Sequence, residues 1–167
     1  MKTKRINLLE KAKYLATIQG QYDDAISIVN KLLCINNEDI DALRLKGNIL
    51  ELRSFAIKQK NCTNDILDDP KIYYYKILQL DSDNTLALID LGDYWQVKGK
   101  LELVLKFYNK AIDLLKKGHF YLSHKDEIEE AYWGKSEVLM KMNEKDESLK
   151  CKVEGLRWYP DSELLRP

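Results

Sequence analysis

The 167-residue sequence has little glycine, proline and cysteine and no net charge. Its seven glycines and three prolines are few for a sheet protein with many tight turns. Basic and acidic residues number 27 each, so the chain lacks the basic excess typical of nucleic-acid-binding proteins. No run approaches the roughly 18 apolar residues of a membrane-spanning helix. These shortages argue against an all-β protein, a nucleic-acid partner and a membrane partner.

Cysteine usage bears on the compartment. Cys34, Cys62 and Cys151 are isolated and odd in number, and they match no metal-ligand or redox spacing. A reducing, cytoplasmic location is therefore expected. With 45% hydrophobic and 32% charged residues, the composition is that of a folded chain rather than a disordered one.

Motifs that would indicate catalysis are also scarce. His119 and His124 are five residues apart, so they do not share one helical face as a metal-binding pair would. No glycine-rich phosphate loop and no recognised nucleophile motif is present. The sequence therefore predicts no enzyme activity, no cofactor and no metal site.

What the sequence does contain is a repeated pattern. The segments "QGQYDDAI" (19–26) and "KGKLELVL" (98–105) place a glycine, a large residue two positions on, and an apolar residue five positions on. "MNEKDESL" (142–149) is a weaker copy with asparagine at the glycine position, and each copy is followed by a helical pattern. The helix ending "KILQLDSDN" (76–84) indicates one further unit.

This pattern resembles the tetratricopeptide repeat (TPR) family, whose 34-residue unit is a helix–turn–helix. Four units fit, at 6–39, 40–84, 85–118 and 129–162. The third unit matches the family pattern best, at Leu88, Leu91, Gly92, Trp95, Gly99, Tyr108 and Ala111. The resemblance implies a single TPR-like domain over 1–167: an all-α, right-handed superhelical solenoid of antiparallel helix pairs.

The repeat frame slips at two places. About 11 extra residues lie near 56–69 in the second unit, and ten more, 119–128, separate the third unit from the fourth. Insertions in solenoids are usually loops on one face, so both segments are predicted to be loops that leave the stack intact.

Glycines explain how one apparent long helix becomes two. Gly92 would sit where the first helix of a unit packs closely on the second, so that its missing side chain admits the neighbouring backbone. Gly99 would end that first helix in a left-handed conformation. Gly47 and Gly20 would take the same two roles in earlier units. Tyr74 falls at an aromatic core position, which favours packing over the stacking of bases.

The resemblance also implies where a partner binds, because the first helix of each unit lines the inner groove in this family. Carried over residue by residue, the candidate groove residues are Tyr14, Arg44, Asn48, Glu51, Ile89, Asp93, Gln96, Trp133, Glu137 and Met140. Acidic residues outnumber basic ones at the implied groove positions: Glu10, Asp41, Glu51, Asp93, Glu130 and Glu137 against Arg44 and Lys141. The predicted function is a non-catalytic adaptor or scaffold that binds a peptide or helix bearing basic residues.

The last helix suggests an alternative. Leu149, Val153 and Leu156 lie at i, i+4 and i+7, on the side where a following unit or a cap would pack. After this helix, Leu164 and Leu165 are the apolar residues that remain. The sequence leaves two outcomes open. Either the edge self-associates into a homodimer with a structural role, or the two leucines fold back over it.

Overall fold

The protein is described by a computed structural model that covers residues 2–59, 68–118 and 124–166. These residues form eight α-helices and no strand, which confirms the predicted all-α class. The helices are α1 (Lys2–Thr17), α2 (Tyr22–Ile35), α3 (Ile40–Gln59), α4 (Lys71–Leu80), α5 (Thr85–Val97), α6 (Leu101–Lys117), α7 (Lys125–Lys141) and α8 (Lys145–Trp158).

The helices fall into two compact units, Met1–Ser82 and Asp83–Pro167. The first unit holds the helix pairs α1–α2 and α3–α4, and the second holds α5–α6 and α7–α8. Within each unit, the two first helices also contact each other, α1 with α3 and α5 with α7. The division falls two residues before the predicted boundary between the second and third repeats. A single domain over the whole chain stays a prediction.

Small residues let the helices of the first unit approach one another. Its core contains Ala12 and Ala16 of α1, Ala25 of α2 and Ala42 of α3, and none of them is more than 3% exposed. A methyl side chain keeps the distance between helix axes short. The larger residues that complete this core are Val29, Leu32 and Ile49.

Left-handed residues make the tight turns that were predicted. Gly20 and Gly99 have φ angles of +64° and +70°, and Asn143 takes the same conformation with φ of 65°. After Gly99, the N–H of Lys100 donates to the carbonyl oxygen of Trp95 at 3.1 Å, the hydrogen bond of a Schellman-type helix end. The weaker third copy of the repeat pattern therefore uses asparagine where the others use glycine.

The glycines inside the first helices face tyrosine rings. A Cβ atom placed on Gly92 would lie 2.8 Å from a ring carbon of Tyr108, and one on Gly47 would overlap a ring carbon of Tyr74. Both tyrosines are fully buried. The close packing predicted for Gly92 is confirmed, but the predicted neighbour was wrong, because Gly92 admits a side chain rather than a backbone. The core position predicted for Tyr74 is confirmed.

The two insertions are only partly loops in the described residues. Helix α3 runs to Gln59 and so includes the start of the insertion at 56–69. Helix α7 begins at Lys125, four residues before the predicted start of the fourth repeat. The remaining parts, 60–67 and 119–123, lie outside the described residues, and Cys62 and His119 lie with them.

The C-terminal segment packs back on the second unit, but not over the predicted stripe. Leu165 is fully buried, and its Cδ1 would lie 2.7 Å from a Cβ atom placed on Gly155. Leu164 is 52% exposed, and Leu149 and Val153 keep 48% and 41% of their surface exposed. Of the two outcomes left open, the one in which both leucines cover the stripe is wrong, because Leu165 packs against Gly155 and Leu164 stays exposed.

Candidate functional site

In the second unit, the first helices α5 and α7 meet at Tyr108. A Cβ atom placed on Gly134 of α7 would lie 2.5 Å from the hydroxyl oxygen of Tyr108, and one on Gly92 of α5 would lie 2.8 Å from a carbon of the same ring. One tyrosine of α6 therefore lies against both first helices. We call this line of contact the α5/α7 seam.

The hydroxyl group of Tyr108 reaches the polar residues predicted for the groove. It donates a hydrogen bond to Asp93 Oδ1 at 2.5 Å, and Gln96 Oε1 lies 3.3 Å away. Burial raises the pKa of Tyr108 far above its ordinary value, and the negative charges of Asp93 and Glu130 raise it further. Tyr108 therefore stays protonated and holds the Asp93 carboxylate in place at the seam.

Helix α7 presents large apolar side chains next to acidic ones. Trp133 is 39% exposed and Met140 is 47% exposed. Glu130 is exposed and Glu137 is half-buried. Spacings of three, four and seven residues place all four on one side of the helix. Glu130 lies one turn before Gly134, so its charge is close to the seam, in agreement with its effect on Tyr108.

The first unit repeats the same contact with a different polar residue. Tyr74 of α4 passes Gly47 of α3, and its hydroxyl group donates to the side-chain oxygen of Asn48 at 2.8 Å. Arg44 and Glu51 are half-buried on α3, and Tyr14 of α1 is 52% exposed.

Arg5 fixes the register between α1 and α3. Its guanidinium group donates to Asp39 at 2.6 Å and to Asp41 at 2.7 Å. Asp39 is almost buried and also accepts a hydrogen bond from the backbone N–H of Ala42, so it caps the start of α3. Arg5 lowers the pKa of Asp39, and burial opposes this effect only in part. This ion pair was not predicted, because no local pattern in the sequence indicates which side chains 34 residues apart will pair.

One candidate groove residue is misplaced. Ile89 is only 1% exposed and belongs to the core, so it offers no surface to a partner. The position carried over from the family falls on a side of α5 where this chain buries an aliphatic residue. The other nine candidates keep exposed or half-exposed surface, and their role in binding stays a prediction.

The structure also exposes Ile18 and Leu52, which are groove positions implied by the resemblance, and Phe55, which was not among the candidates. Ile18 is 68% exposed, Leu52 39% and Phe55 66%. Phe55 lies seven residues after Asn48 on the same side of α3, beyond the positions that the family pattern assigns to the groove.

The edge predicted for self-association keeps its exposed side chains. Leu149 and Val153 line a shallow concavity on α8 together with Lys150, Glu154 and Arg157. Leu156 is half-buried beside it. No group of three or more metal-ligating side chains occurs in the described part of the chain. Across 2–59, 68–118 and 124–166, no helix is both long and apolar enough to cross a membrane.

Comparisons with known proteins identify structures with a similar fold. No family model and no curated protein matches the chain. A crystal structure of MamA aligns with 87% of this chain and 72% of that one, with a TM-score of 0.60 and 18% identity. A second MamA structure aligns with 92% of this chain and 72% of that one, with a TM-score of 0.61 and 19% identity.

A third structure, described as YrrB, a TPR protein with an unusual peptide-binding site, covers 95% of this chain and 88% of that one. Its TM-score of 0.47 and 13% identity are too low to support an argument. The helix pairs, together with the likeness to MamA, show an all-α solenoid of the TPR type, as predicted. The right-handed superhelix stays a prediction.

Proposed function

We propose that the chain is a non-catalytic protein-interaction module, and that its first helices bind a peptide or helix that carries lysine or arginine. The observation that carries this proposal is the surface of α7, where Trp133 and Met140 stay exposed beside Glu130 and Glu137. A partly exposed tryptophan next to acidic residues gives a partner both an apolar anchor and a charge to pair with.

The fixed carboxylate at the seam supports the preference for a basic partner. Asp93 is held by the Tyr108 hydroxyl group, so it loses little freedom when a ligand binds. Asp93 and Glu130 both act on the same hydroxyl group, so two negative charges lie close together at the seam. A lysine or arginine side chain would neutralise part of this charge.

Three tyrosines are held in their protonated form by their surroundings. Tyr73, Tyr108 and Tyr132 all have pKa values raised by burial, so they stay protonated near neutral pH. Tyr108 uses its proton in a packing contact between helices rather than holding it ready for transfer. The cytoplasmic location and the adaptor or scaffold role belong to the same proposal.

A random-peptide display library selected on the immobilised chain tests this function. The selected peptides should be rich in lysine or arginine near a large apolar residue, and they should bind less tightly as salt rises. Glu137→Lys should weaken them about tenfold or more. Glu102→Lys reverses an exposed charge on α6, outside the first helices, and should have little effect. Equal losses in both variants, or peptides without basic residues, would refute the basic preference.

A second candidate function is assembly through α8. The exposure of Leu149 and Val153 favours it, because the C-terminal segment packs elsewhere and leaves them open. Two copies related by a two-fold axis would use the same patch on both chains. Sedimentation at rising concentration should then show a dimer that Val153→Asp abolishes. A chain that stays monomeric at high micromolar concentration would exclude this role.

A further inference from the structure

A short segment that follows α8 packs against the second unit through two side chains. Leu165 is fully buried, and Ser162 is 1% exposed. Glu163 and Leu164, which lie between them, are exposed. We call residues 162–165 the SELL segment. One buried leucine and one buried serine are therefore its main points of attachment.

Leu165 occupies a space that exists because residue 155 is a glycine. A Cβ atom placed on Gly155 would lie 2.7 Å from Cδ1 of Leu165 and 2.9 Å from Cβ and Cγ of Tyr132. Any larger residue at this position would overlap both side chains. Tyr132 is itself buried, so the leucine lies in an apolar space between α7 and α8. We call this space, beside Gly155 and Tyr132, the leucine slot.

The hydroxyl group of Ser162 fixes how the SELL segment enters the leucine slot. It donates a hydrogen bond to Glu129 Oε1 of α7 and accepts one from the backbone N–H of Leu165 at 3.1 Å. A serine hydroxyl group has a single proton to donate, and here the carboxylate receives it. The leucine slot and Glu129 are therefore matched to a serine that is followed three residues later by a leucine.

This site lies away from the surface proposed to bind basic peptides. Lys125 of α7 lies over the ring of Tyr159, 5.4 Å from its centroid. Lys125, Glu129 and Tyr132 are at i, i+4 and i+7, so they share one side of α7. Trp133 comes one residue later and so points about 100° away around the helix. The SELL segment therefore leaves the proposed peptide surface uncovered.

An exposed hinge joins the SELL segment to α8. Pro160 and Asp161 are both exposed, whereas Tyr159 before them packs on Lys125. The six residues from Tyr159 to Leu165 span at most about 20 Å when extended. A SELL segment that swings out at the hinge therefore reaches the leucine slot of a second copy within that distance. Such an exchange remakes between two chains the contacts that it breaks within each.

We infer that the leucine slot receives the SELL segment of a second copy, so that two copies associate by exchanging residues 162–165. Every copy carries both the slot and the segment that fits it. The short reach of the segment brings the two α8 helices close together, where Leu149 and Val153, now 48% and 41% exposed, lose contact with water. This burial opposes the entropic cost of association. The inference rests on the assembly function proposed for α8 and is independent of the basic-peptide function.

Two variants of the full chain separate the slot from the segment. Gly155→Leu fills the leucine slot and frees the SELL segment, so this chain is the donor. Leu165→Asp places a carboxylate where only apolar contact exists, so this chain has an empty slot and is the acceptor. When unlabelled donor is added to isotope-labelled acceptor, the amide NMR signals of Gly155 and Tyr132 in the acceptor should return toward their wild-type positions. The response should saturate at a 1:1 ratio.

A donor that also carries Leu165→Asp is the matched control, because it has no leucine for the slot. It should leave the signals of the acceptor unchanged. If the donor has no more effect than this control, the exchange is refuted.

The synthetic peptide YPDSELLR, residues 159–166, takes the place of the donor if Gly155→Leu does not fold. It should bind the acceptor at least tenfold more tightly than it binds the wild type, whose slot is filled. In the peptide, Leu165→Ala should abolish binding, whereas Leu164→Ala should keep it, because Leu164 is exposed. Equal binding of the two altered peptides would refute the site.

Val153→Asp distinguishes the exchange from simple contact between α8 helices. Introduced into both donor and acceptor, it should weaken the exchange but keep the return of the Gly155 signal, because slot and segment are unchanged. A wild-type dimer that Leu165→Asp abolishes would support the exchange. A wild-type dimer that Val153→Asp abolishes and Leu165→Asp leaves intact would refute the exchange and keep the assembly function.

Discussion

The two units use one packing contact and present different chemistry beside it. In each, a tyrosine of the second helix fills the space left by a glycine of the first, and its hydroxyl group bonds to the next residue along that helix. That residue is Asn48 in the first unit and Asp93 in the second. Packing requires the glycine and the tyrosine at these two positions. The residue after the glycine is not restricted in this way, so it can differ between repeats and change the chemistry of the surface.

The exposed surfaces of the two units also differ in their charge. On α1 and α3, the exposed Tyr14 and Phe55 each lie near acidic and basic residues alike, whereas on α7 Trp133 and Met140 lie beside acidic residues. Under the proposed function, apolar contact would dominate in the first unit and charge in the second. The predictions that follow test first what the units share and then how they differ.

The shared contact gives the largest expected effect. Gly92→Leu and Gly47→Leu should each cost about 3 kcal/mol of unfolding free energy, because even the Cβ atom would overlap a buried tyrosine ring. Urea unfolding measures this loss. Gly99→Asn is the matched control. Asparagine already occupies the equivalent left-handed position at Asn143, so the variant should lose less than about 1 kcal/mol. An unchanged midpoint in either leucine variant would contradict the shared contact.

The ion pair of the first unit gives the next largest effect. Arg5→Ala should cost about 2 kcal/mol at pH 7, because it leaves the almost buried Asp39 carboxylate without its main partner. This value allows for the partial exposure of Arg5 to solvent.

The same pair predicts a dependence on pH. Arg5 lowers the pKa of Asp39, so its stabilisation is complete above the ordinary aspartate pKa of about 3.9 and is lost as the pH falls through the lowered value. The difference between wild type and Arg5→Ala in urea should therefore shrink from pH 7 to pH 3. A difference that stays constant would show that Arg5 acts by packing alone.

The hydrogen bond of the tyrosine hydroxyl group should contribute different amounts of stability in the two units. Tyr108→Phe removes a hydrogen bond to a carboxylate and should cost about 1.5–3 kcal/mol, whereas Tyr74→Phe removes one to an amide and should cost about 0.5–1.5 kcal/mol. Both variants keep the aromatic ring, so thermal unfolding of each reports the hydroxyl group. A larger loss for Tyr74→Phe would mean that Asn48 and Asp93 do not differ as described.

Much of the fold could be predicted because the repeat is a local pattern. Gly20, Gly99 and Asn143 mark the turns by their spacing, and the helix pairs follow from them. The sequence could not show that Gly134 and Gly92 share Tyr108, because that contact joins two repeats.

The candidate surface was less predictable. Burial of Ile89 depends on tertiary packing, and a position carried over from a family pattern says nothing about it. Phe55 was missed because it lies beyond the positions that the family pattern assigns to the groove. The ion pair of Arg5 with Asp39 depends on the register between α1 and α3, which only the folded chain sets.

Amide NMR of the full chain with the lysine peptide, at low and high salt, tests the difference between the units most directly. At low salt, signals should shift both near Trp133 and Glu137 of α7 and near the exposed Tyr14 and Phe55 of the first unit. At about 0.5 M salt, the shifts on α7 should fade while those near Tyr14 and Phe55 remain, because salt screens charges but not apolar contact. Shifts that fade equally in both units would contradict the claim that the two units bind by different chemistry.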